Sequence, residues 1–286
     1  MHYKSQILLP VILLMLALAC KPAIDKYTSP PGYNLKKPEK FNMPESLLEI
    51  SGIAFHQGKS DTVYSVQDEN GRIFKQIWGQ KKQTSLKFAK KGDYEDLTIL
   101  KDSVFVLKSS GSLIAFPLSA MELKETEQVK EWGKILPKGE YESLYADQEK
   151  QLLYVICKDC KVDNKTKNAT GYVLQYKGGS EDMEIASTFI IYGQEVEAYG
   201  PDIKSGLKTS ALAQNPRTKE WYILSSVHKL LVIAAADWKI KAVHALPPST
   251  FNQPEGIAFD KEGNLFISNE GDEISSGNIL KFTYQP

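Results

Sequence analysis

Five short segments of the 286-residue chain carry most of the residues able to do chemistry. They read EISGIAF (49–55), DYEDLTIL (93–100), EYESLYA (140–146), LKTSALA (207–213) and QPEGIAF (253–259). In register, the third position is Ser51, Glu95, Glu142, Thr209 and Glu255. Residues two apart share a face of an extended chain, which adds Glu49, Asp93, Glu140 and Gln253. Carboxylates that meet at one narrow place repel one another, so either some stay protonated or a cation sits among them. Oxygen donors without a His or Cys cluster suit Ca²⁺ or Mg²⁺ rather than zinc. Glu95, Glu142 and Glu255 are therefore the expected metal ligands, with Ca²⁺ as the expected cofactor. Two other readings compete with this one. Each glutamate could accept backbone N–H groups of the neighbouring unit and lock it in place. A carboxylate pair could also serve glycoside hydrolysis, one as acid and one as nucleophile or base.

The elements that would position these residues recur with the segments. The spacings are 44, 47, 67 and 46 residues, the period of propeller blades. Each opening segment leads through a turn to a β-branched and aromatic run, as in TVYSV (62–66), VFVL (104–107), LLYVI (152–156), WYIL (221–224) and LFIS (265–268). A third strand and a looser fourth follow. The predicted fold is an all-β propeller of five four-stranded blades. A sixth blade is the alternative that the 67-residue interval leaves open. The last copy ends after three strands, so residues 34–43 are expected to supply the fourth and close the ring, leaving no free sheet edge. In a propeller the first strand of each blade lines the central channel. The loops between second and third strands lie at the channel's mouth, and they add Asp68, Glu69, Asn269 and Glu270.

The ordered set E-I-S-G-I, Y-E-D-L-T-I, Y-E-S-L-Y-A, T-S-A-L-A and P-E-G-I-A-F resembles the bacterial SdiA-regulated (YjiK-like) family across residues 45–285. The resemblance implies an exported propeller and assigns no reaction. The sequence departs from it at Thr209-Ser210-Ala211, which lacks the expected glycine, and in the long insertion after Cys160.

Residues 1–19 read as a signal peptide: Lys4, then the thirteen-residue apolar stretch Ile7 to Ala19, too short to span a bilayer. Ala17-Leu18-Ala19-Cys20 resembles a lipobox, which makes Cys20 the expected lipidated residue and membrane anchor. Ordinary secretion after Ala19 is the rival. Residues 20–40 hold four prolines between Pro22 and Pro38 and read as an extended tether to a domain over 41–286. The localisation expected is the bacterial cell envelope. Lys+Arg and Asp+Glu are both 35, so nothing in the charge favours nucleic acid as a partner. Cys157-Lys158-Asp159-Cys160 follows a strand; in an exported chain a disulfide is expected first, ahead of free thiols, metal binding or redox exchange. The function expected is a binding module for a small ligand or a protein, with a Ca²⁺-dependent hydrolase of a lactone or phosphoester as the alternative.

Overall fold

The computed structural model describes residues 26–163, 166–177 and 182–286. The signal segment and Cys20 lie outside the described residues. The chain forms five antiparallel sheets of four strands each. Blade 1 holds β2 (Ile50–Ala54), β3 (Thr62–Gln67), β4 (Arg72–Ile77) and β5 (Gln83–Lys87). Blade 2 holds β6 (Tyr94–Leu100), β7 (Ser103–Lys108), β8 (Leu113–Pro117) and β9 (Lys130–Trp132). Blade 3 holds β10 (Gly139–Asp147), β11 (Leu152–Cys160), β12 (Ala169–Lys177) and β13 (Asp182–Ile191). Blade 4 holds β14 (Ala211–Gln214), β15 (Trp221–Ser225), β16 (Leu230–Ala234) and β17 (Ile240–Ala245). Blade 5 holds β18 (Pro254–Phe259), β19 (Leu265–Asn269) and β20 (Asn278–Phe282), completed by the N-terminal β1 (Glu39–Asn42).

β1 pairs antiparallel with β20, Glu39 opposite Lys281 and Asn42 opposite Asn278. The innermost strands touch in the cyclic order β2, β6, β10, β14, β18 and back to β2. The fold is therefore a closed five-bladed propeller. Among the described residues no sixth blade forms. The long interval goes into a nine- and a ten-residue strand, β12 and β13, and into a short helix, Gly193–Glu197. Burial follows the ring as well. Each junction between adjacent blades holds its own cluster of buried aliphatic and aromatic side chains, five clusters in all. Because the middle strands of a blade pack on both faces, they read as unbroken apolar runs; Val104, Phe105, Val106 and Leu107 of β7 are all fully buried.

The described part of the expected tether is packed rather than extended and loose. Tyr33 and Leu35 are buried against blades 4 and 5. The Tyr33 hydroxyl donates to the Gly263 carbonyl at 2.7 Å and accepts from Asn215 Nδ2 at 3.2 Å. Gly32, at φ 83°, lies flat against the Tyr284 ring, where a Cβ would collide. These contacts lie at the turns joining first and second strands, the end of the channel opposite the expected mouth.

Polar locks join the blades at the start of their inner strands. Asp96 is buried on β6; its Oδ1 accepts the Leu97 N–H at 2.8 Å and its Oδ2 the Leu144 N–H of blade 3 at 2.7 Å. Ser210 Oγ donates to the Pro254 carbonyl at 2.7 Å, tying blade 4 to blade 5. Ser268 Oγ donates to the Ser51 carbonyl at 2.6 Å, tying blade 5 to blade 1. A Cβ on Gly52 would strike Asp96 Oδ1, and one on Gly256 would strike both Ser268 Oγ and the Ser51 carbonyl. Removing a partner from a buried hydrogen bond strands the other. We expect Asp96→Ala to cost about 2–3 kcal/mol of unfolding free energy by urea titration. Asp96→Asn, which keeps one acceptor, should cost less. A neutral Asp96→Ala would show that this lock does not hold blades 2 and 3 together.

Candidate site at the channel mouth

Glu95, Glu142 and Glu255 face the channel because the backbone is irregular where they sit. The β6–β7 register skips between Tyr94 and Asp96, β10–β11 between Tyr141 and Ser143, and β18–β19 between Pro254 and Gly256. Each glutamate is thus the extra residue of a bulge, which re-aims one side chain out of the ladder. Blade 1 has its irregularity at the same place, around Ser51 and Gly52. Two of the entries are pinned by the preceding tyrosine. The Tyr94 hydroxyl donates to the Lys90 carbonyl at 2.8 Å, and the Tyr141 hydroxyl to the Pro137 carbonyl at 2.7 Å.

A second irregularity lies opposite Glu142. Glu140 pairs with Asp159 and Tyr141 with Cys157, so Lys158 is itself an extra residue on β11. Its ammonium is hydrogen-bonded to Glu142 Oε1 and also acts on Glu255, Glu95 and Glu270. Cys157 and Cys160 are joined by a disulfide across Lys158 and Asp159, with 6.0 Å between their Cα atoms. Asp159 pairs with Lys208 of blade 4 at 2.9 Å. The stapled end of β11 therefore delivers one charge of each sign to the mouth.

The remaining expected residues sort into three layers. Glu49, Asp68 and Glu270 are half-buried with the three glutamates, whereas Glu69, Asp93, Glu140 and Gln253 are exposed at the rim. Ser51, Thr209 and Asn269 are fully buried. Glu49 Oε2 accepts from Gln67 Nε2 at 2.9 Å, and Glu270 is hydrogen-bonded by Gln253. The Asn269 amide donates to Asn278 Oδ1 at 3.1 Å, inside blade 5. The locking expected of the glutamates is done instead by the residues one place further on, Asp96 and Ser210. Sequence reasoning missed Asp96, Lys158, Lys208 and Lys229. An acid inside the apolar run DLTIL was a visible sign of Asp96. Lys158 had no such sign, because its direction depends on a pair of bulges.

Like charges and burial act together on the acids. Burial pushes Glu95 up to about 9, with the charges of Glu142 and Asp93 adding to it. Burial raises Glu255 to about 8, helped by Glu142 and Glu270 and opposed by the Ser226 hydroxyl and Lys158. Glu270 rises to about 7 and Asp68 to about 6, again first through burial and then through neighbouring acids. Glu142 is also raised by burial, with Lys158 pulling it back. All of these donors are oxygens, which fits a hard cation. Yet Lys158 already brings one positive charge to Glu142. Among the described residues, no three His, Cys, Asp or Glu side chains stand close enough to share a metal ion.

No family model and no curated protein matches the sequence, so no family match supports the likeness to SdiA-regulated proteins. Solved structures do match. A luciferin-regenerating enzyme aligns at TM-score 0.52 and 10% identity, over 86% of this chain and 95% of that one. A nidogen/laminin complex aligns at TM-score 0.48 and 11% identity, over 77% and 72%. A streptogramin B lyase aligns at TM-score 0.45 and 12% identity, over 85% and 67%. At such identities the likeness shows the fold alone.

The shifts have a sign that can be checked. A carboxyl with a higher pKa folded than unfolded holds its proton more tightly in the folded state. Its contribution is most favourable below about 4.5 and is lost as pH rises toward the folded value of about 9 for Glu95. Glu95→Gln should therefore stabilise the protein at pH 9, by about 1–2 kcal/mol after allowance for solvent screening, and do little at pH 5. Lys158→Met removes the central cation and should do the reverse, destabilising more at pH 9 than at pH 5. Parallel stability–pH curves for the parent and Glu95→Gln would contradict this electrostatic description.

Proposed function

We propose that this chain is a ligand-binding β-propeller of the bacterial cell envelope, held to a membrane by lipid at Cys20. Its acidic channel mouth takes up a positive charge, and Ca²⁺ is the simplest form. The observation that carries the reading is the imbalance at the mouth. Burial first, and neighbouring acids after it, raise the pKa values of Glu95, Glu142, Glu255, Glu270 and Asp68, while Lys158 is a cation acting on four of them. A bound cation would relieve this repulsion. A hydrolase would need the mouth to present further ligands or a nucleophile. Of Asn269, the amide expected to contribute, Nδ2 is spent on Asn278 inside blade 5, and only the buried Oδ1, without a hydrogen-bond partner among the described residues, is left to offer.

Melting the chelated protein with and without Ca²⁺ tests the mouth. At a hundredfold excess over its Kd, Ca²⁺ should stabilise by about 2.7 kcal/mol, and Glu95→Gln should lose most of that gain. An unshifted parent protein would overturn the Ca²⁺ reading. The anchor is tested separately by fractionating cells that express Cys20→Ser. The variant should leave the membrane fraction; a variant that stays there after losing residues 1–19 would contradict lipidation at Cys20.

A further inference from the structure

A pocket opens on one side of the mouth, between blades 3, 4 and 5, with a volume of about 290 Å³. Three lysines and two glutamates line it: Lys158, Lys208, Lys229, Glu142 and Glu255. Most of these charges are already satisfied. Lys158 is paired with Glu142, and Lys208 with Asp159. Lys229 is different. It sits at φ 51° on the hairpin between β15 and β16, its carbonyl held by the Leu246 N–H at 2.8 Å. Its half-buried side chain has no ion-pair partner among the described residues, and Glu255 is the one acid that acts on it. Glu255 is likewise outside any ion pair among the described residues. It is held by the hydroxyl of buried Ser226, and Lys158 acts on it through space.

The pocket thus keeps one cation and one carboxyl open to a guest, on one lining and within electrostatic reach of each other. We propose that it binds a small zwitterion, a molecule carrying an ammonium and a carboxylate in the manner of an α-amino acid. Lys229 receives the carboxylate and Glu255, with Ser226, the ammonium. The lining also restricts the rest of the guest. Its polar groups include Ser210, Ser226 and Gln253, and the one large apolar side chain is Val227, which is 63% exposed at the rim. A guest with a large apolar side chain would leave that surface in water, so short or polar side chains are preferred. This inference rests on the mouth being a binding site for positive charge and names the class of ligand that uses it.

The test is calorimetric titration of the parent protein with glycine and L-serine, with glycinamide and glycolate as partners that each lack one of the two charges, and with L-phenylalanine. Glycine or L-serine should bind at least tenfold more tightly than either singly charged analogue or phenylalanine. Lys229→Asn tolerates the left-handed backbone and should weaken zwitterion binding about tenfold or more. Binding of glycinamide as tight as glycine would overturn the zwitterion and leave a simple cation site. Absence of heat with every amino acid would overturn it too, whatever Ca²⁺ does. So would a Lys229→Asn variant that binds like the parent.

Discussion

The pairing of β1 with β20 is the contact on which the molecule depends. It joins the two ends of the described chain at Asn42 and Asn278 and turns a row of sheets into a ring. Without it blade 5 would end in an open edge, and β2 and β18 would have no reason to lie side by side. The channel is a consequence of that closure. So is the mouth, because residues from blades 2, 3 and 5 meet there only when the row of blades is bent back on itself. The segment preceding β1 adds to the same join, with Tyr33 and Leu35 buried between blades 4 and 5.

Within the closed ring, adjacent residues divide the labour. In two of the opening segments a residue faces the neighbouring blade and locks it, as Asp96 and Ser210 do. At the third position of three segments a bulge pushes the side chain toward the axis, as for Glu95, Glu142 and Glu255. The lock is satisfied and the mouth is not. Buried acids that raise one another's pKa make the folded state less favourable as pH rises. Such unrelieved charge on a rigid ring is expected where something binds. The Cys157–Cys160 staple belongs to this arrangement, because it fixes the bulged end of β11 from which Lys158 pairs with Glu142 and Asp159 with Lys208.

Much of the frame was legible in the sequence. The five opening segments recur because each blade must bury the same inner strand, so their spacing gave the blade count, and the three-strand final copy implied the closing strand. The third-position glutamates were legible for the same reason. Other features follow from tertiary context. Nothing in YNLKKPEK marks Tyr33 and Leu35 as buried; that depends on the shelf made by Phe259 and Tyr284, far along the chain. The direction of Lys158 depends on two facing bulges, and bulges carry no local sequence signal when no glycine marks them. Lys208 and Lys229 gain meaning only once blade 4 is set beside blade 3.

The central claim is that the ring holds carboxyls together strongly enough to keep some of them protonated near neutral pH. A carbon-13 NMR titration of glutamate side-chain carboxyls tests it most directly, with Glu95→Gln and Glu255→Gln used to assign the signals. The structure predicts one carboxyl titrating near 9 and another near 8, lost respectively in those two variants. Titration of every glutamate near the ordinary value of about 4.3 would contradict it.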